Sequence, residues 1–262
     1  MIPIRTTSSI ARLLPVSAPD GLFMNTVPHD NPDWNPRDAL ETSRQLDGIR
    51  RVRSEAGSAI DLGCGTGRIL VPLAQSGMRI LGIDRDHEAI EQCRNAVPDS
   101  GGASFLVADF LGPGGLATIE PETTDLVLCL GNTVMLLLEH ESLHRLFAMV
   151  RRVLQPGGVF IIDDFSIEAE HEIESGNWQD GVSEDGSIQF SWIDPGSVFC
   201  IRHGSDVDPD RPPHEGDQPM RAWTTDELRS MAKEVGLGLE HLPEHGLFCM
   251  TIEPGAPPDQ VS

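Results

Sequence analysis

The glycine-rich segment from Ala59 to Leu70 constrains this chain more than any other stretch. It reads AIDLGCGTGRIL, with glycines at positions 63, 65 and 67 between an apolar run and an apolar pattern at helical spacing. Glycine is required where φ is positive or where the backbone approaches a ligand closely. The segment therefore predicts a strand, a tight turn and a helix, with backbone N–H groups of the turn directed at acceptor atoms of a ligand.

An acidic residue at the end of the next predicted strand indicates what this turn binds. The run MRILGI, residues 78–83, ends at Asp84. That is about 20 positions after Gly63, where nucleotide-binding folds place the acidic residue that accepts hydrogen bonds from the ribose hydroxyls. The glycine spacing is G-x-G-x-G rather than the dinucleotide G-x-G-x-x-G, and Asp61 precedes it. This combination favours a nucleoside with an amino-acid tail over a pyrophosphate.

Five motifs, taken in this order, resemble those of the class I S-adenosylmethionine-dependent methyltransferases. They are DLGCGTG, Asp84, VADF at 107–110, DLVLCLGN at 125–132 and LQPGGVFIID at 154–163. The resemblance covers residues 55–165 and 220–252. It implies a doubly wound, Rossmann-like α/β fold with a mostly parallel seven-stranded sheet. It also implies S-adenosylmethionine as cofactor, S-adenosylhomocysteine as product, and no metal.

The resemblance further implies a set of cofactor-binding residues, which are Asp61, Gly63, Cys64, Gly65, Asp84, Arg85, Asp109, Phe110 and Leu130. The backbone from Gly63 to Gly65 would hold the methionine portion, and Asp61 would help to place its ammonium. Asp84 would accept hydrogen bonds from both ribose hydroxyls, and Asp109 would take the adenine amino group. For each carboxylate, a helix or turn cap is the alternative role.

Strand and helix patterns alternate from residue 58 to residue 163, which predicts a parallel sheet with helices on both faces. Predicted strands cover 58–62, 79–83, 104–108, 125–130 and 158–163, and predicted helices cover 66–76, 86–96 and 139–153. Ligands of such sheets bind beyond the carboxyl ends of the strands. We expect one cleft to collect the polar residues at those ends, which are Asp61, Asp84, Asp109, Asn132 and Asp163.

The remaining segments define the expected domains. Residues 1–57 are expected to form an N-terminal arm and a helix that begins at Pro36. The inward face of this helix is predicted to carry Leu40, Leu46, Ile49 and Val52. Trp34 is expected either to cover the cofactor or to anchor the core. Residues 58–163 and 220–252 form the cofactor-binding domain. Its last part is predicted as a capped helix at 224–236 and an antiparallel strand pair, 237–242 and 246–252. Residues 253–262 form a disordered tail.

Residues 164–219 interrupt the alternation and are expected to form a lid. Their aromatic residues lie in short runs, SIQFSWI and SVFCIRH, with the period of two that is typical of an antiparallel sheet. Such a sheet would cover the methyl acceptor. Additional scaffold or a dimer interface is the alternative.

Composition restricts the partners. The net charge is −22 and Lys233 is the only lysine, so we expect no nucleic-acid partner, because such binding requires Lys and Arg to neutralise phosphates. No apolar run approaches the roughly 18 residues of a membrane span. Five scattered cysteines predict buried free thiols in a reducing cytoplasm. We expect a cytoplasmic monomer or homodimer, with no membrane partner. The acid-poor residues 1–19 resemble a transit peptide, but a loose tail is favoured.

The methyl acceptor is expected to be a small molecule. The LGNT of residues 130–133 resembles the LGNS of glycine-type and related small-amine N-methyltransferases, and the insertion resembles lids of enzymes acting on amino sugars. Nitrogen is slightly favoured over oxygen as the acceptor atom, and RNA or protein methylation and a non-catalytic cofactor-binding module are less favoured. Candidate acceptor-binding residues are Asn132, Asp164, Trp178 and Trp192. No catalytic residue stands out, although histidines 140, 171, 203 and 245 are candidate bases by type.

Overall fold

Two β-sheets and the helices packed on them organise the chain. A computed structural model describes residues 39–53, 57–97, 102–164, 181–194 and 197–254. In these ranges the helices are α1 (Ala39–Val52), α2 (Leu70–Gln75), α3 (His87–Ala96), α4 (His140–Val153) and α5 (Thr225–Glu234). The strands are β1 (Ser58–Leu62), β2 (Arg79–Asp84), β3 (Ala103–Val107), β4 (Thr124–Cys129), β5 (Leu154–Asp163), β6 (Ile188–Trp192), β7 (Val198–His203), β8 (Met220–Arg221), β9 (Leu237–Leu242) and β10 (Leu247–Ile252).

The larger sheet has seven strands in the order β3-β2-β1-β4-β5-β10-β9. Strands β1 to β5 run parallel, whereas β10 is antiparallel to both of its neighbours. The chain moves outward from β1 to β3 and then returns to β4 on the other side of β1. Ligands of open α/β sheets bind at such a switch point, beyond the carboxyl ends of the strands. The predicted doubly wound, mostly parallel seven-stranded sheet is confirmed.

Each face of this sheet has its own hydrophobic core. On one face Phe160 and Ile162 of β5 pack with Phe147 of α4 and Leu228 of α5. On the other face the intervening Ile161 packs with residues of α1, α2 and α3. Side chains alternate between faces along a strand, so the continuous apolar runs of β4 and β5 are explained by burial on both sides.

Helix α1 runs antiparallel to the central strands. At its carboxyl end, Arg53 Nη2 lies 3.0 Å from Asp125 Oδ1 at the start of β4. Near its amino end, the Thr42 hydroxyl accepts a hydrogen bond from Arg68, just after the glycine segment, at 3.3 Å. Leu46 and Ile49 are buried as predicted, but Leu40 is 69% exposed, so its expected inward position is wrong. Trp34 lies outside the described residues.

Two predicted starts differ from the structure by four residues. Helix α2 begins at Leu70 rather than at residue 66, because the glycine turn continues through positive φ angles as far as Gly67. Strand β5 begins at Leu154 rather than at 158, with a register irregularity against β4 between Thr124 and Leu126. The predicted helix after the insertion is confirmed: Thr224 and Glu227 form a capping box at its start.

The second sheet contains the predicted antiparallel strands of the insertion, with β7 between β6 and β8. Strand β8 lies just beyond residue 219, where the insertion is predicted to end. Phe190 lies opposite Ile201, and Trp192 lies opposite Phe199, so aromatic side chains share one face. Phe199 packs with Met135 in the 3-10 turn Thr133–Leu136 that follows β4. The small sheet is therefore anchored at the carboxyl edge of the large one. Trp178 lies in residues 165–180, outside the described ranges.

A buried ion pair attaches the loop after β7 to the small sheet. The side chains of Arg202 and Asp217 are 2% and 6% exposed, and Arg202 Nη2 lies 2.6 Å from Asp217 Oδ2. Arg202 also donates to the carbonyl groups of Arg211 and Pro212. Burial opposes the charge on Asp217, but hydrogen bonds from Arg202 and from the His214 N–H hold its pKa at about 2. This network fixes the loop without a hydrophobic core of its own.

All five cysteines are buried free thiols, as the sequence predicts. None of the helices in the described ranges is long and apolar enough to cross a membrane. Within the same residues, no group of three or more His, Cys, Asp or Glu side chains is arranged to hold a metal ion.

Candidate active site

The glycine turn joins β1 to α2 at the switch point of the large sheet. Its glycines, Gly63, Gly65 and Gly67, have φ angles of 69°, 52° and 94°, a region that L-residues with a side chain rarely adopt. A Cβ atom at Gly63 would also lie 2.6 Å from Thr133 Cγ2. Glycine at 63 is therefore required twice, by its backbone angle and by the close approach of the turn after β4.

The donors of this turn are used within the protein. Four of its N–H groups make internal hydrogen bonds, namely those of Gly63, Cys64, Gly65 and Gly67. The first two donate to the Ile83 carbonyl at 2.8 and 3.4 Å, and the third donates to Asp84 Oδ2 at 2.8 Å. The expectation that these N–H groups face a ligand is wrong. A turn whose donors are already engaged suits a cation such as an ammonium better than a pyrophosphate.

Asp84 connects the glycine turn to the end of β2. Its Oδ2 accepts the Gly65 N–H, and its Oδ1 accepts the Asp86 N–H at 2.9 Å. A carboxylate oxygen has two acceptor positions, so each oxygen retains one for a further donor. The half-buried carboxylate can thus accept two hydroxyl groups while it holds the turn.

Asp61 is the most deeply buried carboxylate of the strand-end residues. It lies on β1, one strand from Asp84, and is only 4% exposed. Burial raises its pKa to about 7; the positive charge of Arg68 opposes this rise and the negative charge of Asp84 adds to it. A buried acid with a pKa near neutrality beside a cleft is typical of a functional group.

The ends of β3, β4 and β5 complete the carboxyl edge. Asn132, after β4, has a φ of 61°, and its N–H donates to Asp163 Oδ2 at the end of β5, at 2.8 Å. Asp109, after β3, is exposed, and its side chain accepts the Leu111 N–H at 2.9 Å. Asp163 is 8% exposed. All five strand-end residues lie at this edge: Asn132 and Asp163 are bonded to each other, and Asp109 faces solvent.

The other residues implied by the resemblance have varied surroundings. Leu130 and Cys64 are buried, and the Cys64 thiol is hydrogen-bonded to Cys93 on α3, so only the backbone of Cys64 can meet a ligand. Arg85 is exposed, and Phe110 is half-buried against the core on the α4 face.

A histidine that the sequence does not single out lies beside the end of β5. His241 Nε2 lies 2.7 Å from Asp164 Oδ2, and the imidazole stacks on Phe248 with ring centroids 4.6 Å apart. Burial raises the pKa of Asp164, and the hydrogen bond with His241 opposes the rise. His241 meets Asp164 only because β9, β10 and β5 are aligned in the sheet. The local sequence around His241, EHL at 240–242, does not predict this alignment.

The histidines considered from sequence lie elsewhere. His140, at the start of α4, lies 3.3 Å from Glu227 Oε1 and against the edge of Trp223. His245 Nδ1 lies 3.1 Å from the Arg44 carbonyl oxygen on α1. His203 ends β7. His171 is outside the described residues.

The switch-point turn and the acid at the end of β2 define a Rossmann-like nucleoside-binding domain. Residues 59–158 match the family model of a methyltransferase domain. YqeM of Bacillus subtilis (strain 168), which is named as a methyltransferase, is 28% identical over 200 residues, covering 72% of this chain and 76% of YqeM.

Solved structures share the fold. The sugar N-methyltransferase KedS8 of Streptoalloteichus sp. ATCC 53650 superposes with a TM-score of 0.57 at 19% identity, covering 97% of this chain and 99% of that one. S-adenosylmethionine-bound CalS10 of Micromonospora echinaspora, an amino pentose methyltransferase, has a TM-score of 0.54 at 17% identity, covering 85% and 93%. Residues 59–158 thus form a methyltransferase domain, and the chain shares the fold of class I S-adenosylmethionine-dependent methyltransferases.

Proposed function

We propose that this enzyme transfers the methyl group of S-adenosylmethionine to the nitrogen of a small-molecule amine. The observation that carries the proposal is the acidic end of β5. Asp163 and Asp164 are adjacent there, beside the turn on which the small aromatic sheet packs. Carboxylates attract an ammonium, and aromatic faces suit a cation or an apolar ring. The names of KedS8 and CalS10, which describe methyltransferases of a sugar nitrogen and an amino pentose, support an amine acceptor.

The cofactor would occupy the switch point. Asp84 would accept the two ribose hydroxyls, since each of its oxygens retains one acceptor position. Asp61 would face the methionine ammonium, with the backbone of residues 63–65 around it. Asp109 would accept the adenine amino group, while Arg85, Phe110 and Leu130 would complete the pocket.

Methyl transfer from a sulfonium requires alignment more than chemical activation. The amine nitrogen, the methyl carbon and the sulfur must lie in line, and holding them so supplies much of the acceleration. When the carbon–sulfur bond breaks, its electron pair stays on the sulfur as a thioether. The residues of the chain therefore have three tasks: to hold the cofactor, to orient the acceptor and to remove a proton from it.

The proposal is tested by incubating the protein with S-adenosylmethionine and a panel of amines and hydroxyl compounds, and measuring S-adenosylhomocysteine. Conversion with amines, amino sugars included, is the expected result. Conversion with hydroxyl compounds alone would make the enzyme an O-methyltransferase. Cofactor binding without conversion of any compound in the panel would favour a non-catalytic cofactor-binding module.

Cofactor affinity should depend on pH through Asp61. An ammonium beside Asp61 favours its charged form, so binding releases a proton wherever the free carboxyl is protonated. Because the free pKa is about 7, affinity for S-adenosylmethionine should rise about tenfold per unit as pH increases towards 7. Calorimetry between about pH 5.5 and 7.5 checks this, since the α-amino group of the ligand stays mostly charged there.

Two controls isolate Asp61 in that experiment. 5′-Methylthioadenosine lacks the ammonium, so its affinity should be independent of pH, and Asp61→Asn should flatten the profile for S-adenosylmethionine. A profile for Asp61→Asn that is as steep as that of the wild type would contradict the assignment.

Trp192 should contribute to acceptor binding. Its side chain is 51% exposed on the aromatic face of the small sheet, with its ring against those of Phe190 and Phe199. An aromatic contact is worth about 0.5–1.5 kcal/mol, so Trp192→Ala should raise the KM for the acceptor roughly two- to tenfold. The Kd for the cofactor should stay the same. The adjacent Ile193→Ala, 43% exposed, is the matched control, and an equal rise in KM there would argue against a specific contact.

A further inference from the structure

We propose that His241, oriented by Asp164, accepts the proton that the acceptor amine must lose before methyl transfer. The inference rests on the proposed function, because it assumes an amine that reaches the enzyme as an ammonium. It assigns a catalytic role to a residue outside every motif of the sequence.

The pair lies on the same side of the sheet as the small aromatic sheet. Phe160 and Ile162 of β5 face the core of α4 and α5, so alternation directs Asp164 to that side as well. Phe248, on which the His241 ring stacks, belongs to the same core. From the small sheet, Arg221 donates to the Leu138 carbonyl before α4, at 3.0 Å. It also lies 3.4 Å from Glu227 of α5. A methyl acceptor beneath the small sheet would therefore contact the carboxyl edge of the large sheet on the side covered by α4 and α5.

A chain of contacts connects the pair to the glycine turn. Asp163, next to Asp164, accepts the Asn132 N–H at 2.8 Å. Thr133 follows Asn132 and lies so close to Gly63 that a Cβ there would collide with it. Neighbouring strands lie about 4.8 Å apart, so the end of β5 is roughly 10 Å from that of β1. Asp164 is therefore separated from the cofactor turn by a distance that a small acceptor can span, and His241 reaches Asp164 from β9, two strands beyond β5.

The hydrogen bond sets which nitrogen of His241 is basic. An ionised Asp164 only accepts hydrogen bonds, so Nε2 carries the hydrogen and Nδ1 retains its lone pair. The side chain of Asp164 is 12% exposed and that of His241 is 31% exposed, which leaves the imidazole accessible to a ligand. A base within reach of its substrate and oriented by a third group is the arrangement of many catalytic histidines.

The surroundings favour a cationic acceptor. The charged groups of β5 at this point are Asp163 and Asp164, and β10 contributes the ring of Phe248. The buried residues of α5 on this face, Leu228 and Met231, are apolar. Asp164 therefore attracts the ammonium on this side of the edge, Asp163 adds negative charge from the adjacent position, and the Nδ1 lone pair of His241 is available to take the proton.

The step balances in protons and charge. The ammonium transfers one proton to His241 Nδ1 and becomes an amine with a lone pair. That lone pair forms the new carbon–nitrogen bond, and the carbon–sulfur bond breaks with its electrons on the sulfur. The two positive charges of ammonium and sulfonium end on the methylated ammonium and the imidazolium, which releases its proton to water.

The test compares His241→Gln with a matched surface control, His144→Gln. His144 lies on α4 at the surface, 3.8 Å from Glu234. With the amine converted fastest in the panel, His241→Gln should lower kcat about a hundredfold or more, the range for loss of a general base. Its Kd for S-adenosylmethionine should stay within about twofold of the wild type, which also reports folding. Without a proton acceptor the variant can use only amine that is already uncharged, so its rate should rise more steeply with pH than that of the wild type. Asp164→Asn should lower kcat less.

A second variant keeps the inference testable if glutamine disturbs the strand. His241→Gly leaves space over Phe248, and added imidazole should restore turnover to this variant but not accelerate the wild type. Unchanged kcat and pH profile in His241→Gln, or no rescue of a folded His241→Gly, would overturn the proton-accepting role while leaving the proposed function intact. Absence of amine conversion by the wild type would instead overturn the proposed function, and the inference with it.

Discussion

Asp84→Ala should bind S-adenosylmethionine about ten- to a hundredfold more weakly than the wild-type protein. The carboxylate is half-buried and in the proposed function accepts the ribose hydroxyls, and a hydrogen bond to a charged group is worth about 1.5–3 kcal/mol. The variant also loses the bond from the Gly65 N–H, which holds the glycine turn, so both effects reduce affinity. Isothermal titration calorimetry with S-adenosylmethionine and S-adenosylhomocysteine measures the change.

Asp86→Ala is the matched control, because Asp86 is two residues away and caps α3 by accepting the Glu88 and Ala89 N–H groups. It should cost about 1 kcal/mol of stability and leave the Kd unchanged. If a folded Asp84→Ala retains the wild-type Kd, then Asp84 serves only to fasten the turn.

Arg202→Leu should lower the free energy of unfolding by about 3–5 kcal/mol, the usual cost of removing one partner of a buried ion pair. The substitution leaves Asp217 charged and 6% exposed, and it removes the donors to the Arg211 and Pro212 carbonyls. Urea denaturation followed by tryptophan fluorescence reports the loss, since Trp192 lies in the same sheet.

Two comparisons separate this pair from ordinary surface charges. Arg229→Ala breaks the exposed pair with Asp226 and should cost less than about 1 kcal/mol. The double variant Arg202→Leu, Asp217→Leu removes both charges and should recover part of the lost stability. A cost of Arg202→Leu as small as that of Arg229→Ala would show that the loop is held by other contacts.

The fold was largely predictable because each strand of residues 58–163 is followed by a helix or a turn with a local signal. The apolar runs of β4 and β5 require burial on both faces, which only a sheet covered by helices provides. The capping box at Thr224 and the glycine at 236 mark the ends of α5 in the same local way. The start of α2 was misplaced because a glycine turn and the first turn of a helix have similar composition.

The sequence predicted the positions of candidate site residues only where they lie at the carboxyl ends of strands. Asp61 and Asp84 follow apolar runs, so their position at the carboxyl edge required no knowledge of pairing. The direction of the N–H groups in the glycine turn depends on the Ile83 carbonyl of the neighbouring strand, which no local pattern encodes. His241 likewise reaches Asp164 across an intervening strand, and that contact joins residues 77 positions apart.

Strand β10 is the last strand in the part of the chain that the structure describes, yet it lies between β5 and β9. During synthesis on the ribosome, the edge of β5 therefore stays unpaired until residues 247–252 have emerged, and unpaired edges are where chains aggregate. The glycine turn can form earlier, since β1, β2 and β4 all precede β10 by a wide margin. Only β10 brings Phe248 beneath His241, so a nascent chain would form the glycine turn before His241 and Asp164 can align.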